Sequence, residues 1–328
     1  MNRENYQIVL DQIIQYPETW NKGMWTRLCC LCFAMLLTAT VAYAGVVHQN
    51  EWDSKTVPAG WDYNAPPVID PSANSPSGGG ALKFTYQAGT YTTSTGGGRT
   101  DYKGLRNFNL TEGYFGHWQK FSPGFMHNPI STKIDYIWAS QPQLNLNNGT
   151  GVGLFTIRTA FGSTNTGSAY LTIDVTIQGN GLLGPNSVTP HSISTNGATR
   201  LDNNRWYWLE YRIKLNGVTC TAGTVACVTP DGELDVWIDD VNQGSWRTLR
   251  WRDKADTVLG TFLHSTEWGG GGGTIPDQCP SVTPHTPCPQ YSWVDHTVFS
   301  TIRIGRPGSA PTHVDTLPPA RPIGVVIQ

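Results

Sequence analysis

The sequence predicts an all-β protein, a two-sheet antiparallel β-sandwich or jelly roll, and three observations support this fold class. Only 14% of the 328 residues are charged and 11% are aromatic, whereas an ordinary soluble domain carries about 25% charged residues. Glycine and proline occur 36 and 22 times, which is typical of a chain with many turns. Nine segments alternate apolar and polar residues with period two, the pattern of half-buried strands.

The same composition excludes several classes of protein. Intrinsic disorder needs high charge and few aromatic residues, and a coiled coil needs alanine, glutamate, lysine and leucine in bulk. A formal net charge of -2 provides no basic surface for nucleic acid or for an anionic membrane. We therefore expect a folded monomer that binds no nucleic acid.

The N-terminal residues predict export. Lys22 and Arg27 precede an apolar run from Leu28 to Val41, and Ala42-Tyr43-Ala44 supplies small residues for cleavage. This is the pattern of a secretory signal peptide, and the run is shorter than the roughly 20 residues that a membrane-spanning helix needs. We expect a secreted chain, extracellular or periplasmic, with no membrane contact after cleavage. An uncleaved membrane anchor is the alternative.

The chain is predicted to contain one domain. Residues 1–44 form the N-terminal extension and signal peptide, residues 45–308 the β-jelly-roll domain, and residues 309–328 a proline-rich tail. All-β sandwiches often reach 200–250 residues as one unit.

Four cysteines follow the predicted signal peptide, which suits an oxidising compartment. Both near pairs close short loops, so the pairing Cys220–Cys227 and Cys279–Cys288 is favoured, although four cysteines allow three connectivities. No C-x-x-C spacing is present, and we predict no zinc site.

The strand faces opposite the predicted core carry most of the candidate site residues. In segment 205–216 the residues of one face are apolar or tyrosine, and segment 231–240 has an equally apolar face. The predicted core residues are Tyr207, Leu209, Tyr211, Ile213, Leu234, Val236 and Ile238. The opposite faces carry Trp206, Trp208, Glu210, Arg212, Lys214, Glu233, Asp235 and Trp237. Tryptophan stacks on sugar rings while charged groups bind hydroxyls, so we expect these faces to form a polysaccharide groove.

Several motifs resemble those of a known superfamily. YFGHWQKFSPGF and STKIDYIW are similar to a strand pair of the secreted jelly-roll polysaccharide lyases, the concanavalin A-like relatives of heparin lyase I and alginate lyase. RWYWLEYRIKLN with DGELDVWIDD, and then WVDHTVFSTIRIG, resemble later strands of that group. The resemblance covers residues 78–308. It implies a concanavalin A-like jelly roll that acts on polysaccharide, although the Q-[IV]-H triplet of the alginate lyase branch is absent.

A lyase is the first functional hypothesis. β-Elimination on a uronate needs a base, an acid for the leaving oxygen, and a cation or amide that neutralises the carboxylate. His117 is the candidate base, and the candidate acids are Tyr136 and Tyr211. Both tyrosines share strand faces with apolar residues, which also suits a place in the core. The candidate neutralising residues are Gln119, Arg158, Arg212 and Lys214.

Two alternatives remain open on sequence alone. Glu233 and Asp235 lie about 6.6 Å apart along a strand, close to the roughly 5–5.5 Å of a retaining glycoside hydrolase pair. A further glutamate that laminarinase-type hydrolases carry after the aspartate is missing here. A non-catalytic glycan-binding or surface-structural protein suits the low charge and the tryptophan-rich faces.

No cofactor is predicted, apart from a structural Ca²⁺ that is common in this superfamily. Calcium needs clustered oxygen ligands, and the candidate donors are Asp239, Asp240 and Asp295. His264 and Glu267 precede a run of five glycines; we expect these two side chains to be exposed at the surface.

Overall fold

The computed structural model describes the greater part of the predicted domain. The chain divides into two units, Met1–Gly45 and Val46–Gln328, and the described residues, Gly45 apart, belong to the second. The described ranges are 45–53, 61–63, 66–89, 91–92, 102–127, 132–140, 154–163, 168–178, 193–194, 200–219, 228–249, 251–252, 255–268, 273–275 and 288–308. The predicted signal peptide and tail lie outside these ranges, as do Cys220, Cys227 and Cys279. The pairing of the cysteines stays a prediction.

The described residues form strands and no helix, which confirms the all-β prediction. The strands are β1 (Val46–Asn50), β2 (Trp61–Tyr63), β3 (Val68–Asp70), β4 (Ala81–Tyr86), β5 (Tyr91–Thr92), β6 (Tyr102–Leu110), β7 (Glu112–Phe121), β8 (Thr132–Ser140), β9 (Leu154–Ser163), β10 (Ser168–Gln178), β11 (Ile193–Ser194), β12 (Arg200–Asp202), β13 (Tyr207–Lys214), β14 (Gly232–Ile238), β15 (Val241–Leu249), β16 (Val258–Trp268), β17 (Gly273–Thr274) and β18 (Gln290–Ser300). Within the described ranges, no helix of the length and apolarity that a membrane crossing requires is found.

Two antiparallel sheets contain nearly all of these strands. Sheet A has the order β15-β14-β13-β7-β18-β4-β3, and β1 pairs with β18. Sheet B has the order β11-β10-β9-β8-β16-β6-β2, and β12 pairs with β10. Strands β5 and β17 form a small separate pair. Neighbouring strands in a sheet are thus often far apart in sequence, as in a jelly roll.

The core lies between the inner faces of the two sheets. Phe115 of sheet A stacks on Phe262 of sheet B with ring centroids 6.2 Å apart, and Phe299 meets both rings edge-on. The seven residues predicted to face the core from β13 and β14 are all buried there. Burying a large apolar side chain contributes about 1.5–3 kcal/mol, so the alternation of these two strands is strongly specified.

The last strand differs from its prediction. The motif WVDHTVFSTIRIG, residues 293–305, resembles a strand over its whole length, but β18 spans Gln290–Ser300. The backbone N–H groups of Ile304 and Gly305 donate instead to the carboxylate of Glu210, at 2.8 and 3.1 Å. A buried side chain therefore replaces a neighbouring strand as the partner of this segment.

Candidate functional site

The two faces of sheet A separate the predicted site residues into two groups. In the antiparallel register His117 lies opposite Leu209 and Gln119 opposite Tyr207, and directly opposed residues share a face. His117 and Gln119 therefore face the core, together with Tyr211. The outer face carries the predicted groove residues of β13 and β14, namely Trp208, Glu210, Arg212, Lys214, Glu233, Asp235 and Trp237. This corrects the prediction that both groups line one groove.

His117 belongs to a buried polar group between the sheets, which we call the histidine cluster: His117, Asp135, His264 and Thr297. His264 Nδ1 lies 2.8 Å from Asp135 Oδ1, and His264 Nε2 lies 2.9 Å from Thr297 Oγ1. His117 Nε2 is 3.3 Å from Asp135 Oδ2. Tyr211 donates its hydroxyl to Asp135 Oδ2 over 3.4 Å.

Burial controls the protonation of both histidines. It lowers the pKa of His117 to about 4, although the neighbouring Asp135 acts in the opposite direction. Burial also lowers the pKa of His264 to about 3. Both rings are therefore neutral at pH 7. His117 lies between the two sheets, against Phe262 and His264, so a polymer could reach it only if the sheets separated. His117 therefore does not fit the role of the predicted base, and Gln119 and Tyr211 on the same inner face leave the predicted site for the same reason.

The outer face of sheet A contains a second charged group, which we call the arginine cluster: Arg212, Lys214, Glu112, Glu233 and Asp235. Arg212 donates to Glu112 at 2.7 Å, to Glu233 at 2.7 Å and to Asp235 at 2.9 Å. Lys214 donates to Glu233 at 3.0 Å. Each charged group of this cluster is paired with the opposite charge.

The ion pairs set the pKa values of this cluster. Burial alone would raise the pKa of Glu233, but hydrogen bonds from Lys214 and Arg212 outweigh it and hold the pKa below its usual value. Burial would lower the pKa of Arg212, and the hydrogen bonds to Glu112 and Asp235 raise it instead. A hydrolase needs a carboxylic acid with a raised pKa. Glu233, which has a lowered pKa and forms ion pairs with Arg212 and Lys214, therefore suits a structural role better than that of the acid of a hydrolase.

Two of the predicted sugar-binding residues are fully buried. Trp208 packs edge-on against Trp118 with ring centroids 5.5 Å apart. Burial raises the pKa of Glu210, although the backbone N–H groups of Ile304 and Gly305 donate to its carboxylate. Both side chains support the packing of β13 against the segment after β18, and neither offers a surface to a ligand.

The remaining two tryptophans are half-buried at the outer face of sheet A. Trp206 precedes β13, and its indole N–H donates to the carbonyl of Ala73 over 3.3 Å. The guanidinium of Arg303 lies 4.8 Å from the ring centroid of Trp237. Both rings keep part of their surface accessible, so both stay candidates for contact with a sugar.

The three predicted calcium donors have separate sets of partners. Asp239 accepts from Arg205 at 3.1 Å and Asp240 from the backbone N–H of Arg306 at 2.8 Å. Asp295 accepts from the hydroxyls of Ser75 and Ser77, and its Oδ1 is buried with no hydrogen-bond partner among the described residues. The three carboxylates therefore have partners of their own among the described residues, and calcium stays a prediction.

Two further predicted residues occupy paired backbone positions on adjacent strands of sheet B. Tyr136 lies opposite Arg158 of β9, and Arg158 lies opposite Asp174 of β10. On the other side Tyr136 is the partner of Leu263, which is in turn opposite Gly104. We call these five cross-strand partners the Tyr136 row.

A β-bulge explains why Tyr136 faces away from the core. The register of β8 shifts between Lys133 and Asp135, so the alternation changes by one residue there. Ile134 and Ile137 both belong to the hydrophobic cluster between the sheets, whereas Tyr136 is buried outside that cluster, opposite Leu263. The burial of Tyr136 beside an apolar residue agrees with its suggested place in the core, but its face is the one opposite to Ile134 and Ile137. Tyr136 is 3% exposed.

Sequence reasoning missed some members of both sites. Asp135 is the acceptor that joins the histidine cluster, and no pattern in the sequence indicated it. Trp138 and Arg106 are both partners of Thr261 in β16, one position beyond the Tyr136 row. Tyr136 and Trp138 are two residues apart in one strand, and this spacing is the signal that could have found Trp138.

His264 and Glu267 are buried, not exposed as predicted. His264 is 0% and Glu267 6% exposed. Glu267 forms an ion pair with Lys133 across the sheet. Their strand β16 lies between β8 and β6 within sheet B, which removes both side chains from the surface.

Two of the solved structures that share this fold are alginate lyases. The alginate lyase vAL-1 from Chlorella virus has a TM-score of 0.54 at 15% identity, over 78% of this chain and 99% of that chain. The marine PL-14 alginate lyase from Aplysia kurodai has a TM-score of 0.51 at 16% identity, over 77% of this chain and 98% of that chain. No protein-family model and no curated protein matches the sequence. The chain therefore has the jelly-roll fold of the polysaccharide lyases, as the resemblance predicted.

Proposed function

We propose that the chain is a secreted polysaccharide lyase that cleaves a uronate-containing glycan by β-elimination. The observation that carries this proposal is the Tyr136 row of sheet B, in a fold shared with alginate lyases. This row brings together a predicted proton-transfer residue and a predicted neutralising residue from adjacent strands.

The chemistry assigns a role to each of these two residues. A guanidinium beside the uronate carboxylate stabilises the negative charge that develops when the proton at C5 is removed, and Arg158 supplies that group. Tyr136, as the phenolate, takes the C5 proton. The C4–O bond then breaks, the C4=C5 double bond forms, and the Tyr136 hydroxyl returns that proton to the leaving oxygen. Because Tyr136 is 3% exposed, the proposal requires this face to open to substrate.

An assay of four polymers tests the proposal. We expect one of alginate, glucuronan, pectate or heparinoid to give the ultraviolet absorbance of an unsaturated uronate. The variant Tyr136→Phe should lose about 100-fold or more of the rate, which is the lower end of the effect of a general acid. Tyr86→Phe is the matched control, since Tyr86 is a buried tyrosine of sheet A.

The possible outcomes distinguish a lyase from a glycoside hydrolase. Activity that Tyr136→Phe retains in a folded protein would contradict the assignment of the row. Reducing ends without unsaturation, lost in Glu233→Gln, would instead support a hydrolase.

A non-catalytic glycan-binding protein is the second candidate, and one surface favours it. The outer face of sheet A carries half-buried Trp206, Tyr291 and Trp293 beside two lysines. Lys83 Nζ lies 3.9 Å from the ring centroid of Tyr291, and Lys120 Nζ lies 5.4 Å from that of Trp293. Aromatic rings with ammonium groups suit acidic sugars. Glycan binding that Trp293→Ala abolishes, without product formation from any of the four polymers, would establish this function in place of the lyase.

A further inference from the structure

We propose that His117, Asp135 and His264 bind one divalent transition-metal ion such as Zn²⁺ between the two sheets. One ligand atom from each of these residues lies within 4.8 Å of the others. None of the three residues is more than 1% exposed. The site is independent of the proposed lyase function.

His117 supplies a second and independent observation. Both of its ring nitrogens are buried without a hydrogen-bond partner among the described residues, and its Nε2 points toward Asp135 at 3.3 Å. A buried polar atom without a partner costs about 1–3 kcal/mol. A metal ion at the centre of the cluster would give this nitrogen the partner that it lacks.

The donor set selects the class of metal. Two imidazole nitrogens and one carboxylate suit Zn²⁺ and its neighbours, whereas Ca²⁺ and Mg²⁺ prefer oxygen ligands. In a tetrahedral zinc site with Zn–N bonds of about 2.0–2.1 Å, adjacent ligand atoms are about 3.3 Å apart. The separations of 3.3 Å between His117 and Asp135 and 2.8 Å between His264 and Asp135 are close to that geometry.

The surroundings of His264 fit a metal ligand as well. A histidine that binds metal through one nitrogen usually donates its other N–H to an oxygen. His264 Nε2 lies 2.9 Å from Thr297 Oγ1, and the same hydroxyl accepts from the indole N–H of Trp52 at 3.1 Å. These contacts hold the ring with its Nδ1 directed at Asp135.

The metal would link the two halves of the sandwich. His117 lies on β7 of sheet A, whereas Asp135 and His264 lie on β8 and β16 of sheet B. Since the three ligands are buried, the site is closed to substrate, as structural zinc sites are. We infer a structural role, in which the ion stabilises the folded state against separation of the sheets.

Metal analysis of the folded protein tests this inference. Protein treated with a chelator and then titrated with Zn²⁺ should bind one equivalent per chain, and its Tm should rise by several degrees. Co²⁺ in place of Zn²⁺ should give the visible absorption bands of a four-coordinate site, in which a water molecule takes the position beside the three protein ligands.

Two variants give a matched comparison. His117→Gln should weaken Zn²⁺ binding at least 10-fold, because it removes one of three ligands. His127→Gln should leave binding unchanged, since His127 is also buried but packs between Phe121 and Phe125, at ring distances of 4.9 and 4.7 Å. No stoichiometric Zn²⁺ binding by the folded wild-type protein would overturn the inference. Equal affinities of wild type and folded His117→Gln would overturn it as well.

Discussion

The histidine cluster lies at the inner face of sheet A and the arginine cluster at its outer face, and strand β7 contributes His117 to the first and Glu112 to the second. The arginine cluster is partly exposed, with 15% of the Arg212 side chain and 32% of the Glu112 side chain accessible, and each of its charges has an opposite partner. In the histidine cluster the one carboxylate, Asp135, faces two histidines that burial keeps neutral. Similar residue types thus form a closed set of ion pairs on one face and an incompletely paired group on the other.

This difference shows where a functional group can be found in such a sandwich. An ion-pair cluster that satisfies itself binds nothing further, although its composition of charges beside tryptophans suggested a groove. The proposed metal site lies in the histidine cluster, and the proposed catalytic residues lie in the Tyr136 row of sheet B. Four substitutions test this contrast.

Removing the buried carboxylate should give the largest effect. Asp135→Ala leaves His264 Nδ1 and the Tyr211 hydroxyl without this acceptor, and each unmade buried hydrogen bond costs about 1–3 kcal/mol. We expect the free energy of unfolding to fall by about 3 kcal/mol, measured by urea denaturation.

The matched control for that change is Asp235→Ala on the outer face. Asp235 is also buried, but Arg212 keeps Glu112 and Glu233 as partners when it is removed. The loss should be about 1 kcal/mol, because the two cations that pair with Asp235, Arg212 and Arg247, both keep Glu233 as a partner. Equal losses at the two positions would show that the two clusters do not differ as described.

Removing Arg212 should give an intermediate effect. Arg212→Gln removes the shared partner of three carboxylates, although Lys214 and Arg247 still pair with Glu233 and Arg247 with Asp235. We expect a loss of about 2 kcal/mol, between exposed and buried ion pairs. High salt should reduce this loss because it screens the repulsion. Urea denaturation at low and high salt measures both effects.

The same variant should change the acid limb of the stability profile. Glu233 has a lowered pKa in the folded state, so its contribution is present above its unfolded value of about 4.5 and is lost as the pH falls through the folded value. Arg212→Gln should make the loss of stability below about pH 4.5 less steep. An unchanged slope in acid would mean that Arg212 does not control this carboxylate.

The smallest effect at neutral pH is expected at His127, a buried histidine that packs against Phe121 and Phe125. Burial lowers its pKa to about 4 from 6.5, although Asn203 acts in the opposite direction. The unfolded chain therefore takes up a proton first, and stability falls as the pH decreases from about 6.5 toward 4.

His127→Gln should flatten part of that dependence while changing the Tm little at pH 7. Thermal unfolding of variant and wild type at pH 7 and pH 4.5 measures the difference. A parallel loss of stability in both proteins would exclude His127 as a source of the pH dependence.

The alternation of β13 and β14 could be predicted from the sequence because each strand buries one regular face. Tyr136 could not be placed correctly, because the bulge between Lys133 and Asp135 changes the alternation and leaves no mark in the sequence. The end of β18 was misplaced for a similar reason, since the carboxylate of Glu210 takes the N–H groups that a strand partner would have bound.

The histidine cluster was beyond sequence reasoning for a different reason. Asp135 and His264 are 129 residues apart in the chain, and only the register of β8 with β16 brings them together. The alternation of apolar and polar residues along a strand indicates which side chains are buried. It does not indicate which residues of the opposite sheet those side chains contact.

The pairing of β1 with β18 has a consequence for how the chain folds. The first strand of sheet A is hydrogen-bonded to the last, with Val46 opposite Ser300, and β18 is also the central partner of β4 and β7. Because strands that are distant in sequence lose loop-closure entropy before their contacts stabilise the sheet, folding is expected to take milliseconds to seconds. During synthesis, β1, β4 and β7 would wait with unpaired edges until residue 300 emerges, and in this interval aggregation or a chaperone can capture the chain.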